Sequence, residues 1–164
     1  MQTITASNGR KHLLSTSGIT KQGALNDCSV RALANAGGIP YETSEAIHAR
    51  NGRKHNKGVT VETLAKTYAE AGFELKGIYG HTKESFYWRY ILKTNVKQDR
   101  EGTTLAKFVQ QNNKGTYICL VCGHAFAVVD GAIIDNQHLL AGKRVVAVFK
   151  PVENSLQTML EEME

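Results

Sequence analysis

Apolar positions recur at helical spacing through the first half of the chain. Val30, Leu33 and Ala34 form one stripe. Asn26 is a good N-cap before it, with Leu25 and Val30 placed as a hydrophobic staple. A helix is therefore predicted over 27–36 and closed by Gly37-Gly38, with Arg31 and Asn35 directed away from its core face. A second short helix follows Pro40 over 41–50, with Thr43 or Ser44 as its cap. Val61, Leu64, Ala65, Tyr68 and Ala69 mark a third, capped by Thr60 and ended by Gly72. Residues 73–79 alternate as a half-buried strand does, and the aromatic group Phe86-Tyr-Trp-Arg-Tyr90 is expected in the core. Leu105, Phe108 and Val109 predict one more helix after Thr103 or Thr104.

From residue 116 the pattern changes to strands. The run from Thr116 to Val129 is rich in β-formers, and Gly123 divides it in two. Asp130-Gly131 is a two-residue hairpin turn, 132–135 returns from it, and 144–149 adds a further strand. Residues 2–7 suit a short strand. Residues 152–164 read as an acidic, mobile tail. Helices first and an antiparallel sheet second predict an α+β fold with the helices packed on one side of the sheet. The whole chain, 1–164, reads as one domain.

Composition narrows the class. With 41% hydrophobic residues the chain has enough apolar surface for a core. It lacks a run of about 18 apolar residues and a signal-peptide start, so a soluble cytoplasmic protein without membrane contact is expected. Three cysteines are too few, and odd in number, for a disulfide framework. The net charge of +5 is concentrated in Arg50-Asn-Gly-Arg-Lys-His-Asn-Lys57. That loop reads as solvated, with Arg53, Lys54 and Lys57 as candidate contacts to nucleic acid or an acidic host protein.

Candidate chemistry gathers on four residues. Cys28 lies in the first turn of the first helix, where unpaired N–H groups and the helix dipole favour a thiolate. Around the Asp130-Gly131 turn Val129 opposes Ala132, which puts Asp135 diagonally beside His124 on one sheet face. A thiol, an imidazole and a carboxylate make an activated nucleophile. The Cys28 N–H and the Gln22 side-chain amide are candidate oxyanion donors. Cys119-x-x-Cys122 with His124 invites zinc or redox sensing, but residues three apart on a strand face opposite ways and no second ligand pair is present. No metal or cofactor is expected.

Gln22 six positions before Cys28, then Gly123-His124 and Asp135 on successive late strands, resembles the papain-like cysteine peptidase superfamily. Gly-His-Ala-Phe-Ala-Val-Val followed by Ile-Ile-Asp looks like the bacteriocin-leader-processing peptidases. Asn26-Asp-Cys-Ser-Val-Arg-Ala-Leu-Ala also looks like small proteins of tailed bacteriophages, which would place this chain in a host cytoplasm. The resemblance covers about residues 20–37 and 115–136, and papain itself has Asn as the third member of its triad. It implies a papain-like fold and a peptidase or isopeptidase acting on a protein or peptide. In it Cys28 is nucleophile, His124 acid and base, Asp135 the orienting carboxylate and Gln22 the oxyanion donor. Acyl transfer and glutamine deamidation share this machinery, and a catalytically inactive module that binds through the basic loop is the remaining alternative.

Overall fold

The computed structural model describes residues 3–92 and 95–153. Three short strands come first: β1 (Thr3–Thr5), β2 (Lys11–Leu13) and β3 (Ser15–Thr16). The helices α1 (Cys28–Gly37), α2 (Tyr41–Arg50) and α3 (Val61–Glu70) follow, then β4 (Phe73–Tyr79), α4 (Lys83–Leu92), β5 (Gln98–Asp99) and α5 (Leu105–Gln111). The chain closes with β6 (Thr116–Val121), β7 (His124–Val129), β8 (Ala132–Ile134), β9 (Leu139–Leu140) and β10 (Val145–Pro151). The class is α+β, as the order of patterns predicts. The tail predicted over 152–164 lies outside the described residues from 154 onward.

The main sheet runs β3-β8-β7-β6-β10-β4-β5. Its centre is antiparallel, while β3 on β8 and β5 on β4 make parallel edges that local pattern does not reveal. A small antiparallel sheet, β1-β2-β9, shares no strand pairing with it. The register of the second hairpin is the predicted one, with Val129 opposite Ala132, Val128 opposite Ile133 and Ala127 opposite Ile134. Gly123, at φ +70°, completes a tight Cys122-Gly123 turn between β6 and β7.

The expectation of helices on one side of the sheet is corrected: both faces are covered. Leu33 of α1, Leu64 and Tyr68 of α3 and Trp88 of α4 pack with Ile118, Leu120, Ala125 and Phe149. On the opposite face Phe108 and Val109 of α5, with Leu13 and Leu139 of the small sheet, pack on Cys119, Val121, Phe126 and Val128. The unbroken apolar run 118–121 is buried throughout for this reason, since a strand covered on both faces has no polar side. The aromatic group at 86–90 is also corrected. Only Trp88 is core, while Phe86, Tyr87 and Tyr90 are exposed.

Two helix starts differ from expectation. Helix α2 begins directly after Pro40, whose fixed φ suits that position, and Ser44 is buried with its hydroxyl donating to the Val30 carbonyl, 2.8 Å. Helix α1 has Asp27, not Asn26, at its N-cap and makes no side-chain cap bond. Leu25 is 59% exposed, so the hydrophobic staple is absent. The Thr60 cap on α3 is as predicted, its hydroxyl accepting from the Thr63 N–H.

Candidate active site

Cys28 is the first residue of α1. The residues before it are held in an unusual path. Asn26 adopts φ +51°, and its side-chain amide donates to the Asn56 carbonyl at 3.0 Å. The Leu25 N–H donates to Asn56 Oδ1 at 3.2 Å. Arg53 is buried, its Nη2 donating to the carbonyls of Leu25 (3.2 Å) and Asn26 (3.4 Å) and its Nε to Lys57 (2.9 Å). The basic segment is thus a brace for the loop that presents Cys28. Arg53 belongs to that brace and not to an exposed binding patch, which corrects its assignment beside Lys54 and Lys57; those two lysines are exposed.

His124 opens β7 and stacks on Phe126, the next residue along the same face, with ring centroids 5.8 Å apart. Its Nε2 meets Asp135 Oδ2 at 2.5 Å. The predicted partner is therefore the observed one, though by a different route. Strand β8 stops at Ile134, and Asp135 is held just past its end by donating its N–H to the Thr16 carbonyl of β3 at 2.8 Å. With Nε2 taken by Asp135, Nδ1 is the ring nitrogen left to hydrogen-bond the Cys28 thiol.

The electrostatics favour charge on both partners. Burial pushes the Cys28 thiol up, but the hydrogen bond with His124, one from the Ala125 backbone and the charges of His124 and Arg31 together bring it below its ordinary 9.0. Burial likewise opposes protonation of His124. Hydrogen bonds to Asp135 and Cys28, and the charge of each, outweigh it and raise the imidazole to about 9. A thiolate beside an imidazolium is the state both shifts stabilise.

Arg31, expected to point away from the core, is 9% exposed and joins the two halves of the site. Its Nε donates to Asp27 Oδ1 and its Nη1 to Asp135 Oδ1, each at 3.1 Å. Asp27 accepts in turn from the Tyr41 hydroxyl at 2.9 Å, and Asp135 from the Asn136 N–H at 2.8 Å. Hydrogen bonds therefore close a ring from Cys28 through His124, Asp135 and Arg31 to Asp27, the residue bonded to Cys28. The only local sign of this in the sequence is the Asp27–Arg31 spacing of four along a helix. Its other anchor, Asp135, is 104 residues further on.

Gln22 is exposed and outside the residues that line the cavity beside Cys28. The Cys28 N–H, first in its helix, has no carbonyl to bond within it. Asn26 does border the cavity and keeps a second amide hydrogen beyond the one given to Asn56. Cys119 and Cys122 do not act together: Cys119 is fully buried among apolar side chains, which pushes its thiol up, and Cys122 is exposed in the β6–β7 turn. Among the described residues no three His, Cys, Asp or Glu side chains group as a metal site would require. Nor, among them, is any helix long and apolar enough to cross a membrane.

Two cavities differ in what they can do. The larger, about 970 Å³, lies by Phe86, Tyr90 and Arg100 and contains none of the reactive groups. The smaller, about 230 Å³, is bordered by Cys28, His124, Trp88, Leu64 and Glu84 and is the one where a reacting bond has access to the sulfur. Comparison with known protein families, curated proteins and solved structures finds no match to this chain.

Proposed function

We propose that this chain is a papain-like cysteine hydrolase that cleaves an amide bond in a protein or peptide. The observation that carries the reading is the meeting of Cys28, His124 and Asp135, from α1, β7 and the end of β8, beside an open cavity. The Cys28 thiolate adds to the substrate carbonyl, and negative charge develops on the carbonyl oxygen. The Cys28 N–H, first in its helix, and the Asn26 amide, both at the cavity, are the candidate donors to that charge. His124 gives its proton to the departing amine, leaving a thioester on Cys28 and a neutral imidazole. His124 then takes a proton from water as the hydroxyl adds to the thioester. The acid is released, and the proton held by His124 restores the imidazolium and thiolate. Asp135 keeps Nε2 engaged, so the ring is oriented and its cationic form supported through both steps.

The test is turnover of a mixed peptide library by wild-type protein and by Cys28→Ala, with intact-mass detection of an acyl adduct. New peptide termini and an adduct on Cys28 with wild type, both missing with Cys28→Ala, are expected. Equal cleavage by the two proteins removes Cys28 as nucleophile. An adduct discharged only by added amines, with no new carboxyl termini, assigns the site to acyl transfer, and release of ammonia from glutamine assigns it to deamidation.

A further inference from the structure

The cavity beside the reactive pair has a chemical asymmetry that bears on which bond it admits. Val59, Val61 and Leu64 at the start of α3, Trp88 of α4 and Leu120 of β6 give it apolar walls. Glu84, in the first turn of α4, is the one carboxylate among the residues that border it, and no lysine or arginine borders it. Glu84 is half-buried and is tied to the β6–β7 turn by a hydrogen bond from the Cys122 thiol. The remaining ionisable groups at the cavity, Cys28 and His124, are paired with each other. An occupant therefore meets largely apolar walls and a single carboxylate among the bordering residues.

We propose that this cavity receives a lysine or arginine side chain next to the scissile bond. Its aliphatic stem lies along Val59, Val61 and Leu64, and its cationic head reaches Glu84. This proposal rests on the hydrolase reading above and adds the substrate class to it. Long cationic side chains bury their methylenes while keeping the head polar, and a charge-assisted hydrogen bond to a carboxylate is stronger than one between neutral groups. The volume of about 230 Å³ lies below the roughly 300–1,000 Å³ typical of pockets for whole drug-sized ligands, so it suits one side chain. An acidic side chain meets repulsion from Glu84, and an apolar one covers the carboxylate without giving it a donor.

The experiment uses peptidyl chloromethyl ketones, which alkylate a reactive cysteine and so report docking beside Cys28 without requiring turnover. Reagents carry lysine, norleucine or glutamate at either of the two residues next to the reactive carbon. Adducts on Cys28 and Cys122 are followed separately by mass spectrometry. Norleucine keeps most of the stem of lysine and lacks the ammonium. The expected result is alkylation of Cys28 at least about tenfold faster by the lysine reagent than by the norleucine reagent at one of the two positions, about one decade of discrimination for a half-exposed charge pair. That preference should vanish in Glu84→Gln and turn toward the glutamate reagent in Glu84→Lys. Norleucine reacting as fast as lysine with wild type overturns the subsite, while a Cys28 that outpaces Cys122 with both reagents leaves the hydrolase reading intact. Cys28 no faster than Cys122 with every reagent overturns both.

Discussion

Replacing Arg31 with methionine isolates the ion-pair ring from the packing around it, because methionine keeps most of the stem and loses the fork. The substitution takes one donor from Asp27 and one from Asp135, whose side chains are 10% and 1% exposed. Removing one partner of a buried ion pair costs about 3–5 kcal/mol, because the remaining charge is left in a medium that solvates it poorly. Each carboxylate keeps other donors here: Tyr41 on Asp27, and His124 and the Asn136 N–H on Asp135. The loss should therefore sit near the lower end, about 3 kcal/mol. Urea unfolding at pH 7 measures it as a lowered midpoint with an unchanged slope. A second readout separates charge from scaffolding. Arg31 is among the charges that lower the Cys28 thiol, so Arg31→Met should shift the pH profile of Cys28 alkylation upward. Arg31→Lys restores a charge but not two separately aimed nitrogens, and should recover the pH profile more than the stability. A loss under 0.5 kcal/mol with an unmoved pH profile would refute the ring as a functional and structural unit.

Asp135→Asn removes the carboxylate charge that helps raise His124, so the imidazolium is lost at a lower pH and less thiolate remains. Alkylation of Cys28 by iodoacetamide at pH 7 should fall at least about tenfold, one pKa unit's worth of population, and an unchanged rate would contradict the assignment. Arg53→Met should cost about 2 kcal/mol in urea unfolding through the carbonyls of Leu25, Asn26 and Lys57 left without their donor, whereas Lys54→Met should stay within about 0.5 kcal/mol. Equal effects would return Arg53 to the surface. Gly18 has φ +59°, and a Cβ there would stand 2.3 Å from Ile134 Cγ2 and 2.4 Å from Asn35 Oδ1. Gly18→Ala should lower stability by about 1–3 kcal/mol in the same assay, and a neutral result would show that this loop can move away from β8.

The parts of the fold legible in the sequence are those decided by neighbours along the chain. The Thr60 cap, the Asp130-Gly131 turn and the hairpin register follow from local geometry, and the register points to Asp135 as the partner of His124, although Thr16 of β3, not strand pairing, holds Asp135 in place. What was not legible depends on residues far apart. Asn26 looks like a cap, yet it takes a left-handed conformation because Asn56 and Arg53, some thirty residues later, bind its loop. Arg31 reads as a solvent-facing charge on α1 until Asp135 arrives to pair with it. Arg53 reads as part of a solvated basic run because its carbonyl partners leave no mark on side-chain pattern. The covering of both sheet faces is the exception. The unbroken apolar run at 118–121 carries that signal.

The pH dependence of alkylation, followed separately on each cysteine of the native protein, tests the reactive pair most directly. The thiolate is the reacting form, and Cys28 is held below the ordinary 9.0 while Cys122 is raised above it, chiefly by its hydrogen bond and charge contact with Glu84. Cys28 should therefore react faster than Cys122 at pH 6–7, with the ratio narrowing as pH climbs past 9, and His124→Gln should erase the advantage. A Cys28 profile that coincides with that of Cys122 across this range, with or without His124, would contradict the account.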